Sequence, residues 1–125
     1  MKLNNSFDLL EKSRKIIPSQ TQTFSRSASS FVEGVYPVYV SHANGSKFVD
    51  VDGNEYLDYL LGLGPITLGY NYEPVNNAIL SQLKKGILFS LPHYSEVELS
   101  EQISSIVPNA EMVKLEKTGS NAVTG

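Results

Sequence analysis

Gly62, Gly64, Pro65 and Gly69 fall within eight residues, immediately after a stretch of strand-forming residues, and this junction constrains the fold more than any other part of the chain. A helix or strand interior does not carry that density of glycine and proline without cost. The backbone there must turn sharply or approach something closely. Two readings follow: a tight connection between packed elements, or a wall of a ligand pocket. Just before it, Phe48, Val49 and Val51 form a short β-prone run, Asp52-Gly53-Asn54 tolerates positive φ, and Tyr56, Leu57 and Tyr59 resume the apolar pattern. That arrangement predicts a β-hairpin.

Upstream of the hairpin, Ser6 is positioned to cap a helix over about residues 7–17, with Phe7, Leu10 and Ile17, beside Leu9 and Ile16, on an uneven apolar side that Pro18 terminates. Residues 19–30, SQTQTFSRSASS, carry one aromatic, Phe24, and one charge, Arg26. The composition fits a flexible linker, or an ordered loop whose guanidinium fork faces a carboxylate. Phe31 to Val40 alternates aromatic and β-branched residues around Gly34 and Pro37, which predicts a broken or edge strand leading through Asn44-Gly45 into the hairpin. Two or three antiparallel strands should result.

Downstream, Pro74 opens a helix whose apolar residues Val75, Ala78, Ile79 and Leu83 recur at helical spacing, and Lys84, Lys85 and Gly86 close it. GILFSLPHY, from Gly86 to Tyr94, reads as a buried irregular connection, since Pro92 stops any helix. Ser95 and Glu98 have the spacing of a capping box for a helix lined by Leu99, Ile103, Ile106 and Val107 up to Pro108. Met112 to Lys117 alternates, as a strand with one apolar side would. A turn at Thr118-Gly119 followed by a helix start would present backbone amides and the Ser120 hydroxyl to a phosphate, although a single glycine after a strand is more often a turn and nothing more.

Composition excludes several classes of function. The chain has 125 residues, the size of one domain, with 41% hydrophobic and 18% charged residues and no low-complexity tract. A net charge of -3 with scattered Lys and Arg leaves no electrostatic footprint for nucleic acid or an anionic membrane. There is no cysteine, so disulfides and thiolate metal sites are excluded, and His42 and His93 lack ligand-spaced companions, so no metal is expected. No apolar run reaches the length of a signal peptide or a membrane span, which makes a cytoplasmic location the expectation.

Five ordered blocks, KFVDVDGNEYLDY, GLGPITLGY, LKKG, FSLPHYSEVELSE and EMVKLEKTGSNA, together resemble the amino-terminal part of class III pyridoxal-phosphate aminotransferases, within that class the glutamate-1-semialdehyde 2,1-aminomutases and their aminotransferase relatives. The resemblance implies an α/β enzyme of fold type I. Residues 1–30 would form an N-terminal helix and arm, 31–70 the antiparallel sheet of a small domain, and 71–125 two helices followed by the first strand and phosphate-binding turn of an incomplete large domain. Cofactor phosphate binding carries over to Gly119 and Ser120, with Thr118 beside them and Asn121 where an acidic residue is common. In the aminomutase branch a hydroxyl residue and an arginine contact the substrate, and these fall on Thr23 and Arg26. Leu63 stands where the aminomutases carry an aromatic.

The family also implies pyridoxal 5'-phosphate as cofactor, a homodimer with active sites at its interface, and a small amino compound as substrate. Its cofactor-binding lysine lies in the large domain, and Lys2, Lys12, Lys15, Lys47, Lys84, Lys85, Lys114 and Lys117 all fall outside the matching motif. The expectation is therefore an amino-terminal fragment, inactive alone, of a working aminotransferase or aminomutase. The alternatives are a non-enzymatic interaction module that pairs through its arm and hairpin, or a decayed product.

Overall fold

A computed structural model describes residues 1–32 and 34–125, in two compact units, Met1–Leu80 and Ser81–Gly125. In the first unit, strands β1 (Val40–Asn44), β2 (Lys47–Asp50) and β3 (Glu55–Leu57) form an antiparallel sheet in that order. The hairpin lies where the alternation of apolar and turn residues predicts it. Phe48 pairs with Tyr56 across β2 and β3, and their rings stack at 5.1 Å, so the register matches the two largest side chains of the face. Asp50, 1% exposed, holds the turn from within: its carboxylate accepts the N–H groups of Asp52 and Asn54 at 2.9 and 2.8 Å and the Tyr56 hydroxyl at 3.0 Å. Gly53, at φ +84°, supplies the left-handed residue.

The strand expected from Phe31 starts only at Val40. Gly34 sits at φ +82° and Pro37 has no N–H for a ladder, so among the described residues the alternation upstream of Val40 is not used as a strand; residue 33 of the expected strand lies outside them. Helix α1 (Asn4–Ile16) begins three residues earlier than expected, and Ser6 is a buried residue of its first turn rather than its cap. The N-cap residue Leu3 gives no side-chain hydrogen bond. Asp52 of the hairpin turn takes that role, accepting the N–H of Asn5 at 2.8 Å and of Ser6 at 2.9 Å. A carboxylate at a helix N-terminus satisfies orphan amides and opposes the dipole. Leu3 and Leu10 are buried apolar residues of this unit, and the Tyr39 hydroxyl reaches Ser13 Oγ at 2.7 Å near the other end of α1.

The glycine-rich junction is a tight connection. Leu61, Gly62 and Leu63 have φ of +50°, +59° and +64°, and Gly45 and Tyr70 exchange both backbone hydrogen bonds, at 3.0 and 2.8 Å. A Cβ on Gly69 would lie 2.9 Å from the Gly45 carbonyl oxygen, so the close backbone approach inferred from glycine density is real.

Helix α2 (Glu73–Leu83) carries Pro74 in its first turn, and Gly86 at φ +105° follows its end. The 86–94 connection is irregular, as Pro92 requires, but it is exposed rather than buried: Leu88 is 92% and Leu91 79% accessible. Helix α3 (Tyr94–Ile106) is capped two residues before the expected position. His93 is its N-cap, with Nδ1 3.4 Å from the Ser95 N–H, and Glu96 rather than Glu98 accepts the His93 N–H, at 3.0 Å. The reciprocal pair therefore spans His93 and Glu96, because Pro92 fixes where extended backbone ends. No strand forms over Met112–Lys117. Alternation alone cannot make one, since a strand needs a neighbour for its backbone groups, and the described residues provide none beside it. Helix α4 (Gly119–Thr124) ends the chain.

Candidate functional site

Thr118 is the N-cap of α4, its Oγ1 accepting the Asn121 N–H at 3.2 Å and donating to Asn121 Oδ1 at 2.5 Å. Thr118 and Asn121 thus lock each other and set the first turn. The N–H groups of Gly119 and Ser120 have no acceptor among the described residues, and a Cβ placed on Gly119 meets nothing within 4 Å. All four residues are solvent-exposed. Two adjacent amides and a hydroxyl at the positive end of a helix form a donor set suited to an anion. The turn and helix start predicted from Thr118-Gly119-Ser120 are therefore present, while the preceding strand is not.

Thr23 and Arg26 belong to the other unit. The arm from residue 18 to residue 30 is ordered as three short 3-10 turns, Pro18–Gln20, Phe24–Arg26 and Ala28–Ser30, rather than as an unstructured linker. Thr23 precedes the second turn, and its carbonyl accepts the Arg26 N–H at 2.9 Å. Ser27, 1% exposed, pins the arm by donating its hydroxyl to the Ser19 carbonyl at 3.0 Å. Arg26 lines a cavity of about 420 Å³ whose walls include Phe7, Arg14, Gln20, Phe31 and Tyr36. Thr23 does not line it, so the arm brings only one of the two expected substrate residues to this cavity. The Arg26 guanidinium makes no hydrogen bond or ion pair with the described residues.

Arg26 also acts on the glycine-rich junction. Burial, together with the hydrogen bond to Asp58 and its charge, pushes the Tyr70 hydroxyl up to about 12, and the positive charge of Arg26 opposes that rise. Asp58, 8% exposed, accepts Tyr70 Oη at 2.7 Å and the N–H groups of Leu60 and Leu61 at 2.7 and 3.2 Å. Burial disfavours its charge, but these donors outweigh burial and hold its carboxyl below the usual range. Tyr36, raised by burial and by Asp58, lines both the Arg26 cavity and a second hollow of about 380 Å³ beside Asp58 and Tyr59. Sequence reading missed Tyr36, Asp58 and Tyr70 as companions of Arg26. Nothing in their spacing signals the grouping, which depends on how the arm folds back. Leu63, 75% exposed, stands at the glycine-rich turn.

Residues 29–125 match the profile of the class-III aminotransferase family. The chain belongs to that family. It is 38% identical over 125 residues to a 3-aminobutyryl-CoA aminotransferase of Cloacimonas acidaminovorans, covering 99% of this chain and 30% of that protein. It is 41% identical over 120 residues to a glutamate-1-semialdehyde 2,1-aminomutase of Methanococcoides burtonii, covering 96% and 27%. Among solved structures it superposes on an omega-transaminase from Sphaerobacter thermophilus with a TM-score of 0.83 at 28% identity, over 95% of this chain and 26% of that one. A transaminase solved with PLP bound gives 0.86 at 27% identity, over 99% and 28%. The chain thus spans under a third of the length of these relatives.

Proposed function

We propose that this chain is the amino-terminal portion of a pyridoxal-phosphate-dependent aminotransferase or aminomutase acting on a small amino compound as a homodimer, with residues 1–30 as arm, 31–70 in a small domain and 71–125 leading into the large one. The observation that carries the reading is the family match over residues 29–125 together with near-equal identity to an aminotransferase and an aminomutase. Those two relatives keep both reactions open. In this reading the Gly119 and Ser120 amides and the Ser120 hydroxyl hold the cofactor phosphate, and Thr118 and Asn121 shape the turn that presents them. The exposed, acceptor-free amides fit that group. When bound, pyridoxal phosphate supplies an electron sink for moving an amino group.

Arg26 serves as the clamp for a substrate carboxylate, because its fork has no partner among the described residues and borders a cavity of mixed polar and apolar lining. Thr23 sets the turn that carries Arg26 and meets substrate only if the arm shifts when substrate binds. None of the eight lysines occupies a matching motif, so the lysine that holds the cofactor is supplied outside these residues, and the 125-residue chain alone is inactive.

The test is to recover the native product with an antibody against the hairpin and measure its intact mass, its cofactor content and amino exchange with small amino and oxo acids. A product well above 13.7 kDa that carries pyridoxal phosphate and exchanges amino groups supports the proposal. A 13.7 kDa product without cofactor or activity overturns it in favour of a non-enzymatic module. For the isolated chain, pyridoxal-phosphate absorbance that disappears on substituting one particular lysine overturns the claim of inactivity.

A further inference from the structure

We propose that Tyr36, stacked on Phe31, is a specificity-determining residue that walls the Arg26 cavity off from the second hollow beside Asp58 and restricts the site to short amino monocarboxylates. Phe31, Tyr36 and Pro37 line both spaces. The two rings lie 3.9 Å apart and within 2° of parallel, in van der Waals contact, so no substrate chain passes between them. The Tyr36 N–H donates to the Val32 carbonyl at 3.2 Å, and buried Pro37 follows with its fixed φ. The backbone therefore holds the Tyr36 ring where it stands.

The spaces on either side of this wall differ in chemistry. The cavity offers the Arg26 guanidinium with Gln20 and Ser29, whereas the hollow is lined by Phe48, Leu57 and Leu60 around the single carboxylate of Asp58. Its hydrogen-bond donors keep Asp58 charged, and that charge reaches Tyr36, where it adds to burial in raising the hydroxyl. A carboxylate is therefore favoured on the Arg26 side and repelled on the Asp58 side, while an apolar chain suits the hollow. With the ring in place, a substrate held by its carboxylate stays within the first cavity. Removing the ring opens a path for a longer apolar chain, but not for a second carboxylate. This assignment rests on Arg26 as the carboxylate clamp and names the residue that limits the remainder of the substrate.

Isothermal titration calorimetry of the full chain at neutral pH with butanoate, decanoate and decanedioate tests the wall. Tyr36→Ala should bind decanoate roughly tenfold tighter than the unsubstituted chain, the gain from burying about two further methylenes, with butanoate unchanged and no gain for decanedioate. The gain should vanish when Arg26→Ala is added. Tyr36→Leu, which keeps an apolar side chain at the position, is read in the same way if Tyr36→Ala does not melt cooperatively. Failure of the clamp shows separately, as butanoate binding that Arg26→Ala leaves unchanged, and it takes this proposal with it. Butanoate binding that needs Arg26, with no decanoate gain in Tyr36→Ala or Tyr36→Leu, overturns the wall alone. So does an equal gain for decanedioate, which would mean that the chain does not enter the hollow beside Asp58, and so does a gain that persists without Arg26.

Discussion

The hydroxyl of Tyr70 donates to Asp58 Oδ2 at 2.7 Å, tying the far end of the glycine-rich junction to the residue that begins it. Between them lie Leu61, Gly62 and Leu63 in left-handed backbone, whose strain this bond helps to contain. Replacing Tyr70 with Phe leaves a buried carboxylate with its two backbone donors only. The expected loss is about 1–3 kcal/mol, the cost of an unsatisfied buried group, read from the urea midpoint at neutral pH. Tyr59→Phe, 85% exposed, should change nothing.

The same pair sets part of the response to pH. Asp50, Asp52 and Asp58 are held below the ordinary carboxylate value of 3.8; burial opposes the shift, and hydrogen bonds from Asn54 and Tyr56, from Asn5 and Ser6, and from Tyr70 and Leu60 respectively outweigh it. Near pH 4 the unfolded chain binds more protons than the folded one, so their contribution is complete above 3.8 and is lost as pH falls through the depressed folded values. Tyr56 and Tyr70 run the opposite way. Pushed up to about 12 by burial and by their aspartate partners, they contribute fully below 10.0 and lose that contribution as pH rises toward 12. A tyrosinate absorbance titration should show late ionisation of these two, and Asp58→Asn should return Tyr70 towards the ordinary value while leaving Tyr56 late.

Two glycines with nearly the same φ should respond differently to alanine. Gly53 and Gly69 have φ of +84° and +85°, but a Cβ on Gly53 meets nothing within 4 Å while one on Gly69 lies 2.9 Å from the Gly45 carbonyl oxygen. Gly53→Ala should cost about 1–2 kcal/mol, the strain of left-handed backbone alone. Gly69→Ala adds a clash that breaks the Gly45–Tyr70 bridge, and should cost roughly 1–3 kcal/mol more. Equal urea midpoints for the two variants would contradict the close approach.

Glu96 accepts the His93 N–H at 3.0 Å and Glu98 accepts no side-chain cap bond, although both lie in the opening turns of α3. Glu96→Ala should lower helicity and speed amide exchange over residues 94–97, by about 1 kcal/mol of cap energy. Glu98→Ala should leave both unchanged. The reverse ranking returns the cap to Ser95.

Local chemistry was legible in the sequence to the extent that neighbours decide it. The hairpin with its Asp52-Gly53-Asn54 turn, the helix opened by Pro74, the turn at Thr118 and the family itself all rest on residues within a few positions of one another or on their order along the chain. The close approach at Gly69 was readable from glycine density, though not its partner Gly45.

Tertiary structure decided the rest, because each outcome depends on a group distant in sequence. Asp52 caps a helix that starts 48 residues earlier, at Asn4, which no scan for a cap beside the helix could find. Met112–Lys117 has the alternation of a strand but no neighbour to share its backbone hydrogen bonds. Arg26 stands out in sequence as the lone charge of a polar stretch and, through the family resemblance, as a substrate contact, but neither shows its surroundings. Folding the arm against α1 gives it a cavity and brings its charge to bear on Tyr70. Turns and helix starts are settled by short-range sterics and capping, whereas sheet edges, remote caps and electrostatic clusters exist only once separated segments have been brought together.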